Sequence, residues 1–224
     1  MNMKLKLTLL GSMALLTFAN VSSATLVIND NWTVNQSIPD GNPAGIALSQ
    51  TYSGLSTGLG GAGINHVDVR LNISGGYNGD LYGYLVLQSA DSSVTTAILL
   101  NRIGTGPGNA FGSSGSGFSS ITLSDGGTAN GNIHNATGMP TGFWQAGQLS
   151  GVTSLNTTFG GRDANGTWTL FLADMSGGDV SSLVSWGLEI NVVPEPATWA
   201  LAGFGCVLAL VAAGRRQMRL AGTK

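Results

Sequence analysis

Apolar and polar residues alternate along most of the middle of this chain. Val67, Val69, Leu71 and Ile73 fall on one side of a period-two repeat, with His66, Asp68, Arg70 and Asn72 on the other. Such a split marks a strand with one face buried. Leu81, Leu85 and Leu87 repeat the pattern with Tyr82 and Tyr84 opposite, and Trp168, Leu170 and Leu172 repeat it again. Val184, Trp186, Leu188, Ile190 and Val192 form the longest apolar face. Pairs such as Gly75-Gly76, Asn78-Gly79, Asn130-Gly131, Asn165-Gly166 and Gly177-Gly178 punctuate these runs and predict tight turns with positive φ. The Gly/Ser-rich stretch from Gly104 to Gly117 predicts a mobile loop. No long helical period interrupts the alternation, so the fold class is all-β, a jelly-roll-like β-sandwich.

The ends follow different rules. Lys4 and Lys6 precede an apolar run from Leu7 to Ala19, and small residues follow at Ser22 and Ala24. That order predicts a secretory signal, residues 1–24, cut after Ala24 by signal peptidase; the run is short for a membrane-spanning helix. At the other end Val193-Pro194-Glu195-Pro196 leads into an uncharged stretch, Ala197 to Gly214, and then Arg215, Arg216 and Arg219. Residues 197–214 are just long enough to span a bilayer, with the basic tail 215–224 held on the cytoplasmic side. The succession of PEP, apolar span and arginines resembles the PEP-CTERM sorting signal of Gram-negative bacteria. The resemblance implies recognition of Pro194, Glu195, Pro196, Arg215 and Arg216 by an exosortase-type enzyme. Delivery from the membrane to the cell surface or an extracellular polysaccharide matrix would follow. The other reading of this end is a plain C-terminal anchor.

Charge sharpens the picture. From Thr25 to Val193 ten carboxylates face three cations, Arg70, Arg102 and Arg162, a balance of −7. Nucleic acid is excluded as a partner, because few cations are there to displace counterions from phosphates. The single cysteine, Cys206, lies in the apolar tail and excludes a disulfide framework.

Candidate chemistry is sparse. Gly54-Leu55-Ser56-Thr57-Gly58 matches G-x-S-x-G, but the glycines after it cannot form the helix that a nucleophile elbow requires. Gly58 to Gly63 matches G-x-G-x-x-G yet leads into a strand, leaving no helix end for a pyrophosphate. The two histidines, His66 and His134, are far apart in sequence and neither reads as a general base, so the expectation is no catalysis. Calcium is the one inorganic ligand the residues suggest: Asp174, Asp179 and the Gly177-Gly178 turn carbonyls offer hard oxygens in an acidic segment. Asp80 and Asp174 also have a structural reading, as acceptors of backbone N–H groups at strand ends. Tyr52, Tyr77, Tyr82, Tyr84, Phe143 and Trp144 are the rings available for stacking on a carbohydrate.

Three segments, IPDGNPAGIALS (38–49), VDVRLNISGGYNGDLYGYLVLQS (67–89) and FGGRDANGTWTLFLADMSGGDVSSLVSWGLEI (159–190), resemble the P domain of proprotein convertases, also called P/Homo B. The marks are Asp40 in the IPD opening, Tyr77, Gly79, Asp80 and Leu81 in Y-x-G-D-L, Gly166, Trp168 and Asp174 in the next strand, and Trp186 in the last. The sequence departs at Gly75, where the family often carries His. The resemblance implies a jelly roll over 38–192, with 25–37 as a lead-in and 193–196 as the sorting motif. In that family the domain follows and stabilises a subtilisin-like peptidase, and residues 25–37 leave no room for one. The function expected is therefore a noncatalytic surface or matrix module. Its alternatives are a binder of extracellular polysaccharide or an accessory to a separate peptidase.

Overall fold

The computed structural model describes residues 26–55 and 62–194. Ala24, Ser56, the apolar tail, and Glu195, Pro196, Arg215 and Arg216 lie outside them.

Two sheets face each other. One contains β1 (Leu26–Ser37), β3 (Ala62–Gly75), β6 (Phe118–Leu123), β7 (Thr141–Trp144) and β11 (Ser181–Pro194), in the order β1-β11-β3-β6-β7. The other contains β2 (Asn42–Tyr52), β4 (Leu81–Ser89), β5 (Val94–Asn101), β8 (Gly147–Gln148), β9 (Gly151–Val152) and β10 (Gly166–Asp174), in the order β2-β10-β4-β5-β8-β9. The only α-helix among the described residues is α1 (Leu155–Phe159), started by Ser154, whose hydroxyl accepts from the Thr157 amide at 3.0 Å.

The apolar faces read from the sequence meet between the sheets. Val67, Val69, Leu71 and Ile73 of β3 pack with Leu81, Leu85 and Leu87 of β4 and Leu170 and Leu172 of β10 in one buried cluster. Trp168 and Trp186 are both sealed from solvent. The Trp168 ring lies 5.0 Å from Phe159, and its Nε1 donates to the Ala164 carbonyl at 3.1 Å. Trp186 lies 4.6 Å from Trp32, and its Nε1 is buried without a partner.

Four expectations are revised. A bulge between Leu183 and Ser185 shifts the phase of β11, so Leu183 enters the core and Val184 is half-buried. The segment read as a lead-in is a strand: β1 pairs along β11 from Leu26–Val192 to Ser37–Ser182. Its Asp30 carboxylate accepts from the Tyr52 hydroxyl of β2 at 2.8 Å, linking the two sheets and, with burial, holding that phenol above its ordinary range.

The third revision concerns the Asn78-Gly79 turn, which does not use positive φ as Gly75 and Gly76 do, at +72° and +71°. Gly79 is required instead because a Cβ there would collide with the Phe111 carbonyl. The fourth concerns residues 104–117, which are tied down rather than free. Buried Asn78 donates to the Gly117 and Gly138 carbonyls at 3.1 and 3.0 Å and accepts from the Gly117 amide at 2.9 Å. Asn109 closes the tip through Gly104 and Gly112.

Candidate functional site

The ends of β10 and of the turn before β4 meet the turn before β2, and this gathers four aspartates. Asp174 closes β10 opposite Asn42 on one side and Leu81 on the other. Asp80 ends a single 3-10 turn, 78–80, and its carbonyl accepts from the Met175 amide at 2.8 Å. Asp40 accepts from the Gly178 amide with both carboxylate oxygens, at 3.1 and 3.0 Å, which fastens the 176–178 turn. Asp179 follows on the rim. Beside them opens a cleft of about 590 Å³ lined by Tyr77, Asp80, Phe111, Ser176, Gly177 and Asp179.

The electrostatics are lopsided. Asp174 has no exposed surface. Its Oδ1 accepts from the Ser176 amide at 3.2 Å, while Oδ2 is buried with no partner. Burial, with Asp80 and Asp40 nearby, pushes its carboxyl above the usual range against the pull of the Ser176 and Gly41 amides. Asp80 is raised as well, by burial first and then by Asp179 and Asp40, opposed by the Ser176 hydroxyl and Arg102. Arg102 lies 3.7 Å from Asp80 and also donates to the Gly79 carbonyl at 3.2 Å. The turn amides expected as partners of the Asp80 carboxylate are replaced by this arginine and by Ser176. Arg102, one of the three cations between Thr25 and Val193, belongs to no motif that would mark this role in the sequence.

The other motif residues scatter. Leu81, Trp168 and Trp186 are core, and Gly166 sits at the far end of β10, where a Cβ would strike the Gln88 carbonyl. His66 and His134 each have polar neighbours at both ring nitrogens, though the Asp68 oxygen beside His66 is outside hydrogen-bond geometry. For His66 these are Asp68 Oδ1 at 3.1 Å and Asn156 Nδ2 at 3.4 Å. For His134 they are the carbonyls of Asn101 at 3.2 Å and Thr105 at 2.9 Å. Among the described residues no three His, Cys, Asp or Glu side chains are placed to grip one metal ion.

The six rings do not form one platform. Tyr82 and Tyr84 stand together on the outer face of β4, where Tyr84 stacks on Phe171 at 4.6 Å and Tyr82 meets Tyr84 edge-on at 5.9 Å. Phe171, absent from the expected set, completes this group. Around it the cross-strand rows Ala47–Phe171–Tyr84–Ile98, Ser49–Thr169–Val86–Thr96 and Thr51–Thr167–Gln88–Val94 contain no charged side chain. Tyr52 is bound to Asp30, Tyr77 lines the acidic cleft, and Phe143 and Trp144 lie on β7 of the other sheet.

Comparison with known families decides the C-terminal end. The chain carries a PEP-CTERM protein-sorting motif. The match covers residues 192–217, so the motif begins on the last rungs of β11, where Val192, Val193 and Pro194 face Ile64, Gly63 and Ala62. A PEP-CTERM motif implies an exported protein sorted at the cell envelope by an exosortase-type enzyme. No curated protein matches the chain. Among the described residues no helix is long and apolar enough to cross a membrane, and the expected span, 197–214, lies outside them.

Proposed function

We propose that the exported part is a noncatalytic surface or matrix module, a P-domain-like jelly roll that the sorting motif delivers. The observation that carries this is continuity: the motif starts within β11, so its immediate cargo is the sandwich itself. The strand orders β1-β11-β3-β6 and β2-β10-β4-β5 suit a jelly roll, in which the chain crosses repeatedly between sheets. The motif residues Asp40, Tyr77, Asp80 and Asp174 gather at one end, as befits a shared structural signature.

The absence of catalysis is supported by the two histidines. His66 lies against Asp68 and Asn156 and His134 against two backbone carbonyls, and none of these neighbours is the serine or cysteine that a catalytic histidine would serve. A serine-directed fluorophosphonate should leave the purified protein unlabelled by intact mass. Stoichiometric labelling, at Ser56 above all, would overturn the reading.

A second reading, binding of an extracellular polysaccharide, is favoured by the uncharged outer face of the β2-β10-β4-β5 sheet. Hydroxyl pairs there, Ser49–Thr169 at 2.8 Å and Thr51–Thr167 at 3.1 Å, flank the Tyr84–Phe171 stack. A neutral glycan needs hydroxyl partners and a ring, and this face gives both. In a pull-down on the producer's own exopolysaccharide, Tyr84→Ala should reduce retention about tenfold, the loss of roughly 1.4 kcal/mol. Retention equal to that of the parent protein removes this face from consideration.

A further inference from the structure

Asp174 is the most anomalous polar side chain in the domain. An ionised carboxylate withdrawn from water is tolerated only when hydrogen-bonded or matched by positive charge. Its Oδ1 accepts from the Ser176 amide, and its buried Oδ2 lacks a partner in hydrogen-bond geometry, with only the Gly41 amide beside the carboxylate. The local cation is already committed, because Arg102 serves Asp80 at 3.7 Å and the Gly79 and Ala110 carbonyls at 3.2 and 3.4 Å. Sequence distance does not explain the gathering of like charges either. Residues 40 and 80 come from separate turns and residue 174 from the end of β10, and the pairing of β10 with both β2 and β4 brings them together.

We propose that this end of the sandwich binds one calcium-class divalent cation, with Asp174 Oδ2 and the Asp80 carboxylate as its anionic ligands. Among the described residues no third carboxylate, imidazole or thiolate converges on the point. The rest of the shell is therefore hydroxyl, carbonyl and water oxygen, from Ser176 and the turn around it. Calcium accepts six to eight such oxygens in irregular geometry; zinc and copper select nitrogen and sulfur, and magnesium requires near-ideal octahedral geometry. Asp40 is a positioning residue, since both its oxygens hold the Gly178 amide. Exposed Asp179 adds to the field at the cleft mouth without entering the shell. The ligand pair is thus Asp174 with Asp80, in place of Asp174 with Asp179 as the sequence suggested.

The test uses the mature exported protein, purified from the producer, stripped with EGTA and titrated with calcium chloride by calorimetry. One ion per chain is expected, with half-saturation on the order of 10⁻⁴ to 10⁻³ M, as in other extracellular modules, and a rise in melting temperature on saturation. Asp174→Asn and Asp80→Asn should each weaken binding at least about tenfold, whereas Asp179→Asn should stay within about threefold of the parent. If Asp174→Asn fails to fold, Asp80→Asn decides, because its side chain is 14% exposed and its loss leaves the core intact. The proposal is overturned by no calcium uptake at about 10 mM, by unchanged affinity in Asp80→Asn, or by equal competition from magnesium.

Discussion

Replacing Trp168 with alanine should lower stability by about 3–5 kcal/mol, and Trp186→Ala should cost about as much. Each removes a fully buried indole from between the sheets, and strands held in register on both sides cannot collapse into the space. In a domain of this size such a loss lowers the melting temperature by roughly 6–20 °C, a large part of a typical folding free energy of about 5–15 kcal/mol. Phenylalanine separates the two positions. Trp168→Phe removes an indole N–H that donates to Ala164, whereas Trp186→Phe removes one that is buried and unpaired. The second change therefore relieves a desolvated donor and should be the milder by about 1 kcal/mol or more. Thermal melts of the four variants check this; a Trp186→Ala protein melting within a degree or two of the parent would discard the core assignment.

Changing Pro194-Glu195-Pro196 to alanines should abolish processing while leaving membrane insertion intact. The substitution spares the apolar stretch 197–214 and the three arginines after it, and these set insertion and orientation. It removes the residues at the centre of the sorting match, which spans 192–217. The parent protein should appear at the surface or in the matrix without the 197–224 tail, and the variant should remain membrane-bound at full mature length. Intact-mass measurement of both fractions checks this, and equal cleavage and release would reduce the segment to a plain anchor.

What the sequence revealed depended on how local the controlling interaction was. The strand β4 and the stretches Val67–Ile73 of β3 and Trp168–Leu172 of β10 were legible because apolar residues there enter the core at every second position. The phase of β11 was not, because a bulge at Val184–Ser185 inserts a residue without any compositional mark. The strand β1 reads as a lead-in because an edge strand packs against one neighbour and needs fewer apolar residues. The order of the 104–117 segment was hidden for another reason: its anchor, Asn78, lies more than twenty residues away. At the acidic end Asp40, Asp80 and Asp174 were legible as motif members, and Asp179 only as a candidate calcium ligand. Their convergence, and the commitment of Arg102 to Asp80, depend on the pairing of β10 between β2 and β4.

The place of β11 sets an order of events during export. It is the last of the described strands, yet it lies between β1 and β3, which pair with it and not with each other. A polypeptide threaded through the membrane N-terminus first delivers those two strands long before the one that joins them. They must wait on the far side as open edges, exposed to chaperones and proteases. The final rung, Pro194 against Ala62, cannot form until the start of the sorting signal has itself emerged. Closure of the sheet and arrival at the sorting enzyme are therefore nearly simultaneous, and a chain truncated before Ser181 would have neither a finished sheet nor an address.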